Sequence, residues 1–168
     1  MGVSGCGKST LGSYIAGKVE RPFLEGDEFH SARSIAKMSA GRPLCDDDRW
    51  PWLDRLGKAI GSAVTTQGFA IGACSALKRS YRERLRAAAK TPLLFVLLEA
   101  DRAELEKRLA RRPGHFMPAK LLDSQLAALE RPDPAEAAIV FHAYRPVDQL
   151  ASSALEWART VLAAAAKA

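Results

Sequence analysis

The first residues able to do chemistry stand at the very start of the chain. Gly2-Val3-Ser4-Gly5-Cys6-Gly7-Lys8-Ser9-Thr10 fits the pattern G-x-x-x-x-G-K-[ST]. That spacing builds a tight loop whose backbone N–H groups converge on phosphate oxygens, and Gly2, Gly5 and Gly7 keep the approach clear. Lys8 supplies a point charge for the β- and γ-phosphates of a nucleotide, and the Ser9 hydroxyl is placed for Mg²⁺. A helix beginning near Lys8 aims the positive end of its dipole at the same anion. Leu11, Ile15, Ala16 and Val19 give that helix its apolar stripe. A nucleotide site spanning Gly2 and Ser4–Thr10 is therefore preferred to a chance glycine-rich turn.

The elements that must position this loop follow from the remaining pattern. Arg21–Glu25 reads as a short strand ending at Gly26-Asp27, and a short helix lies within 28–41. Asp46-Asp47-Asp48 offers N-cap and first-turn carboxylates for a longer helix. That helix carries Trp52, Leu53, Leu56, Ile60, Ala63 and Val64 and stops at Gln67-Gly68. Phe69–Ala73 is a second strand, and Cys74–Lys78 turns into a basic helix reaching about residue 89. Leu93–Leu98 is apolar throughout, the mark of a strand buried on both faces. Asp101-x-x-Glu104 resembles a capping box opening a helix to Arg111. Pro113–Pro118 interrupts the pattern, and helix 119–129, strand 138–141 and an Ala-rich helix from Val147 complete it. Strands alternating with helices mean an α/β fold with a parallel sheet.

One element is missing from that order. A phosphate loop normally hangs from the end of a buried strand, yet only Met1 precedes Gly2. The expectation is that this sequence starts downstream of the natural start. Omission of upstream residues and a fold that manages without its central strand are the alternatives. Absence of that strand would leave two unpaired sheet edges.

Size and charge narrow the classes. The 168 residues suit one domain, with 48% hydrophobic and 26% charged residues as in ordinary globular chains. No run approaches ~18 apolar residues and the start is not a signal peptide, so no membrane is involved and the expected location is cytoplasmic. Cys6, Cys45 and Cys74 are odd in number and lack C-x-x-C spacing, against a disulfide scaffold or zinc site. A net charge of +6 suits a cleft for anionic substrates. Without an aromatic-interleaved basic patch, nucleic acid is not the expected partner.

Several further blocks carry a resemblance. Glu25-Gly26-Asp27-Glu28-Phe29-His30, Lys37-Met38, Gly41, Pro43-Leu44, Asp46-x-Asp48-Arg49 and Pro51-Trp52-Leu53 resemble the gluconokinases. So do Ala73–Lys78, Tyr81-Arg82, Gly114-His115-Phe116-Met117, Ser124-Gln125 and Leu129-Glu130. With the phosphate loop they cover residues 2 to about 132 in the family's order. One departure stands at Ser31 and Ser34-Ile35, where the family has a proline and an Asn-Ile pair. The resemblance implies ATP-dependent phosphorylation of D-gluconate on its 6-hydroxyl. It also implies a single-domain, three-layer P-loop kinase fold similar to shikimate and nucleoside monophosphate kinases. Such a fold has a parallel sheet of about five strands, the first absent here, with a lid at about residues 111–125 and commonly a homodimer.

Roles follow for individual residues. Phosphoryl transfer needs a carboxylate to orient the attacking hydroxyl and take its proton, and Asp27 is the candidate; a turn or N-cap aspartate is the alternative. Glu25 is a candidate to hold Mg²⁺ through water. Arg49 can clamp the sugar acid's carboxylate bidentately, unless it forms an ordinary helix-start ion pair with Asp46 or Asp48. His30, Ser75, Lys78 and Arg82 are further substrate-side candidates. Arg108 and Arg111 are set to reach the ATP phosphates, with His115 in the lid motif touching substrate or packing.

Overall fold

The computed structural model describes residues 1–111 and 121–166. Helix α1 (Lys8–Val19) starts directly on Gly7, whose φ of 96° is one that glycine adopts without strain. Strand β1 (Phe23–Glu25) leads into a 3₁₀ turn (Gly26–Phe29), then α2 (Ala32–Ser39) and the long α3 (Asp46–Gln67). Strand β2 (Ile71–Ala73), α4 (Arg79–Ala89), β3 (Phe95–Glu99) and α5 (Arg102–Ala110) follow. Helix α6 (Leu122–Ala128), β4 (Ala138–His142) and α7 (Val147–Ala165) complete the expected alternation.

The helix ends show why these boundaries fall where they do. Ser31 caps α2, its hydroxyl accepting the Ser34 N–H at 3.1 Å, so the serines at the family's Pro and Asn positions form a helix start of their own. At α3 the N-cap is Cys45, and all three aspartates lie in the first turn. There Asp48 accepts the Cys45 N–H at 3.0 Å. The capping box expected at Asp101 does not form. Its carboxylate accepts the Tyr144 hydroxyl at 2.6 Å, while Glu104 pairs with Arg108 at 2.7 Å.

Among the described residues all strand pairing is parallel, but the four strands form two separate pairs instead of one sheet. Phe23–Glu25 of β1 lies beside Ile71–Ala73 of β2, and Phe95–Glu99 of β3 beside Ala138–His142 of β4. Between the pairs, Met1 runs along β3. Its amino group donates to the Val96 carbonyl at 2.5 Å, and its carbonyl accepts the Leu98 N–H at 2.9 Å. An apolar cavity of about 370 Å³ occupies the rest of the gap, lined by Ile15, Ile60, Ile71, Leu85, Phe95 and Leu155. This is where the sheet has room for the strand expected ahead of the phosphate loop.

The larger part of the core forms two clusters, each touching both strand pairs. Val3, Cys6, Leu11, Ile15, Leu98, Leu105 and Leu150 gather α1, α5, α6 and α7 around the phosphate loop. Trp52, Leu53, Leu56, Leu85 and Phe95 join α3 and α4 to the start of β3.

Candidate active site

The phosphate loop is wedged between β3 and α5. A Cβ at Gly2, where φ is 142°, would stand 2.6 Å from the Leu98 carbonyl oxygen, and one at Gly5 would meet the Leu109 side chain at 3.2 Å. No side chain fits at the first position, so the loop's path follows from its glycines. Lys8 folds back over the loop and donates to the Val3 carbonyl at 3.2 Å. Ser9 opens the first turn half-buried, whereas Thr10 is exposed. The Ser4 N–H donates to Gln125 Oε1 at 2.6 Å, so this amide is engaged by α6 and is not one of the free phosphate donors. Arg108, held by Glu104 and by the Ala143 carbonyl at 3.0 Å, brings Nη1 to 4.0 Å from a Cβ built on Gly7. Arg111 is exposed at the end of α5, and His115 lies outside the described residues.

At the end of β1 the turn bearing Asp27 is fastened from α3. Trp52 Nε1 donates to the Gly26 carbonyl at 2.7 Å, and Arg55 grips the Phe29 carbonyl with Nε and Nη2 at 3.0 and 2.8 Å. Asp27 is half-buried between these two anchors. His30 is buried and stacks on Trp52 with centroids 4.4 Å apart, and its Nδ1 has no hydrogen-bond partner. Burial pulls its pKa from 6.5 down to about 4 against the attraction of Asp27, which keeps the imidazole neutral. Beside the turn, Glu25 Oε1 is also buried and unpartnered.

A second cavity, about 500 Å³, is lined by Leu44, Cys45, Asp46, Arg49, Lys78 and Tyr81, with Ser124 at its edge. Asp46 receives Lys78 at 2.8 Å and the Tyr81 hydroxyl at 2.5 Å, while Asp48 is taken by Lys37. Asp46 and Asp48, the two acids the sequence offers Arg49, are thus both occupied. The Arg49 guanidinium stands 5.5 Å above the Tyr81 ring, its pKa lowered by burial, with no hydrogen-bonded acid among the described residues. It is a partly desolvated cation on a cavity wall.

Arg82 has a different fate from the one expected. It is 1% exposed, with Nε and Nη2 bonded to Glu136 at 2.7 and 2.6 Å and Nη1 to the carbonyls of Glu130 and Leu77. The guanidinium is consumed in holding α4 to the segment before β4, so Arg82 is a structural residue and not a substrate contact. Lys78 keeps its place at the cavity. Ser75 is buried in the turn after β2, where its carbonyl accepts the Leu77 N–H. Sequence reasoning gave no role to Arg55, Tyr81 or Gln125, only that of a helix-start carboxylate or Arg49 ion pair to Asp46, and only a packing one to Trp52. The contacts that define them join residues 26 to 121 positions apart, beyond any local pattern.

A parallel α/β core carrying a glycine-built phosphate loop, a carboxylate turn beyond the next strand and a cation-lined cavity defines a nucleotide-binding protein of the P-loop kinase type. A family model described as an AAA domain matches residues 1–132. The thermosensitive gluconokinase of Escherichia coli is 45% identical over 140 residues, 83% of this chain and 74% of that one. The gluconokinase of Gluconobacter oxydans is 48% identical over 132 residues, 79% of this chain and 74% of its own. A crystal structure of a gluconokinase from Sinorhizobium meliloti 1021 superposes with a TM-score of 0.85 at 41% identity, covering 100% of this chain and 94% of the other. The chain belongs to the gluconokinase family.

Proposed function

We propose that this chain transfers the γ-phosphoryl group of ATP to the 6-hydroxyl of D-gluconate, giving 6-phospho-D-gluconate and ADP. The observation that carries the reading is Arg49, a half-buried guanidinium on a cavity wall, with Asp46 and Asp48 already bonded elsewhere. A carboxylate ligand would supply its missing partner, and a planar fork binds one bidentately. Lys78, Tyr81, Ser75 and the neutral imidazole of His30 offer donors and acceptors to the hydroxyl row of a sugar acid.

Transfer then needs little covalent help. Asp27 orients the 6-hydroxyl and accepts its proton as the oxygen bonds to the γ-phosphorus and the bond to the β-phosphate oxygen breaks. The anchors from Trp52 and Arg55 fix the turn that aims it, a matter of position more than strength. Lys8, the loop amides, Arg108 and Arg111 neutralise the charge on the departing ADP. Mg²⁺ would be held by the Ser9 hydroxyl, and through water by Glu25, whose orphaned buried oxygen is a hard ligand suited to it. Bound there, it would supply positive charge against the nucleotide phosphates. The reading also carries a homodimer and a cytoplasmic location; no helix among the described residues is long and apolar enough to cross a membrane.

A coupled assay offering gluconate, shikimate and AMP in turn with MgATP tests this. Turnover of gluconate with 6-phosphogluconate as the product is expected. Equal turnover of all three, or ATP binding without product, would overturn it.

A further inference from the structure

We propose that Gln125 is a positioning residue for the nucleotide: it fixes the phosphate loop from outside by taking the Ser4 N–H. This rests on the reading of Gly2–Thr10 as the ATP site. Ser4 and Gln125 are each 5% exposed and meet at 2.6 Å across 121 residues of sequence. A buried N–H without an acceptor is costly, so the loop keeps this peptide turned toward α6 as long as Gln125 is present. Leu109 of α5 braces the other side at Gly5, and Leu122 of α6 packs into the cluster holding Val3 and Cys6. The loop is thus clamped between two helices before any ligand arrives, and pre-organisation of that kind raises affinity without adding a contact.

Helix α6 also reaches the second cavity. Ser124, next to Gln125, lines the pocket that holds Arg49 and Lys78. Just beyond the helix, Glu130 accepts the Arg79 N–H at 2.6 Å, and its own N–H bonds the Leu77 carbonyl at 2.9 Å, on either side of Lys78. The two ligand sites therefore share one short support.

The test uses Gln125→Met, which keeps the length of the side chain and removes the acceptor. MgADP affinity by calorimetry and the KM for ATP should weaken about tenfold, the scale of one lost hydrogen bond. The KM for gluconate should stay within about twofold. Hydrogen exchange on the unsubstituted, nucleotide-free protein gives a second reading that no folding failure can obscure, because the Ser4 amide should be protected. Undiminished MgADP binding by the variant, equal weakening of both substrates, or rapid exchange at Ser4 would each overturn the proposal. Failure of the unsubstituted protein to bind MgADP would instead overturn the ATP-site reading beneath it.

Discussion

Acidification of the buried imidazole of His30 provides a quantitative handle on the turn that carries Asp27. In the fold its pKa falls from 6.5 to about 4, chiefly through burial, with Arg49 and Arg55 adding to the effect and Asp27 opposing it. Between those two values the unfolded chain binds a proton that the native protein does not. Stability is therefore complete above pH 6.5 and declines as pH falls toward about 4. At 1.36 kcal/mol per pH unit the whole decline is about 3 kcal/mol, of which about 2 falls between pH 7 and about pH 4.5. Urea unfolding across that interval, compared with His30→Gln, isolates the contribution. Asp48 and Glu136, held low by Lys37 and Arg82, are common to both proteins and cancel in the comparison. The expected result is a shallower loss of stability in the variant and an imidazole NMR midpoint near 4. Equal slopes in the two proteins, or a midpoint close to 6.5, would refute burial as the cause.

Three substitutions test other parts of the site. Lys8→Ala should abolish phosphorylation with the circular dichroism spectrum and unfolding midpoint little changed; undiminished turnover would remove Lys8 from the phosphate site. Arg49→Ala should raise the gluconate KM at least about tenfold with the ATP KM unaltered, and Arg49→Lys should rescue it only in part because the bidentate fork is lost. A selective defect toward ATP would move Arg49 to the nucleotide side. Glu136→Gln leaves the Arg82 guanidinium buried without its counter-charge, and denaturant unfolding should show a loss of about 3–5 kcal/mol. A raised gluconate KM in a variant of undiminished stability would restore Arg82 to the substrate.

What the sequence made legible was local. The phosphate loop is nine consecutive residues whose types dictate their own geometry, and the alternation of strands and helices follows from short-range periodicity. Arg49 and Arg82 look alike at that range: each stands in a helix near aromatic residues. Only the fold reveals that Glu136, 54 positions from Arg82, has claimed one of them, while Lys37 and Lys78 have stripped the other of its acids. The capping box at Asp101 failed for the same reason. Tyr144, 43 positions on, competed for the aspartate and won. Gln125 was visible as part of a family motif, but the amide it serves is at the opposite end of the chain.

The division of the sheet has a consequence for turnover. Asp27 hangs from β1–β2, whereas the triphosphate cradle leans on β3 through Met1 and Gly2. Among the described residues no backbone ladder joins the two strand pairs, so α1, which starts at the loop and packs against both β1 and β2, sets the distance between them. On the proposed function, the rate of phosphoryl transfer then depends on that helix as the spacer between the two groups.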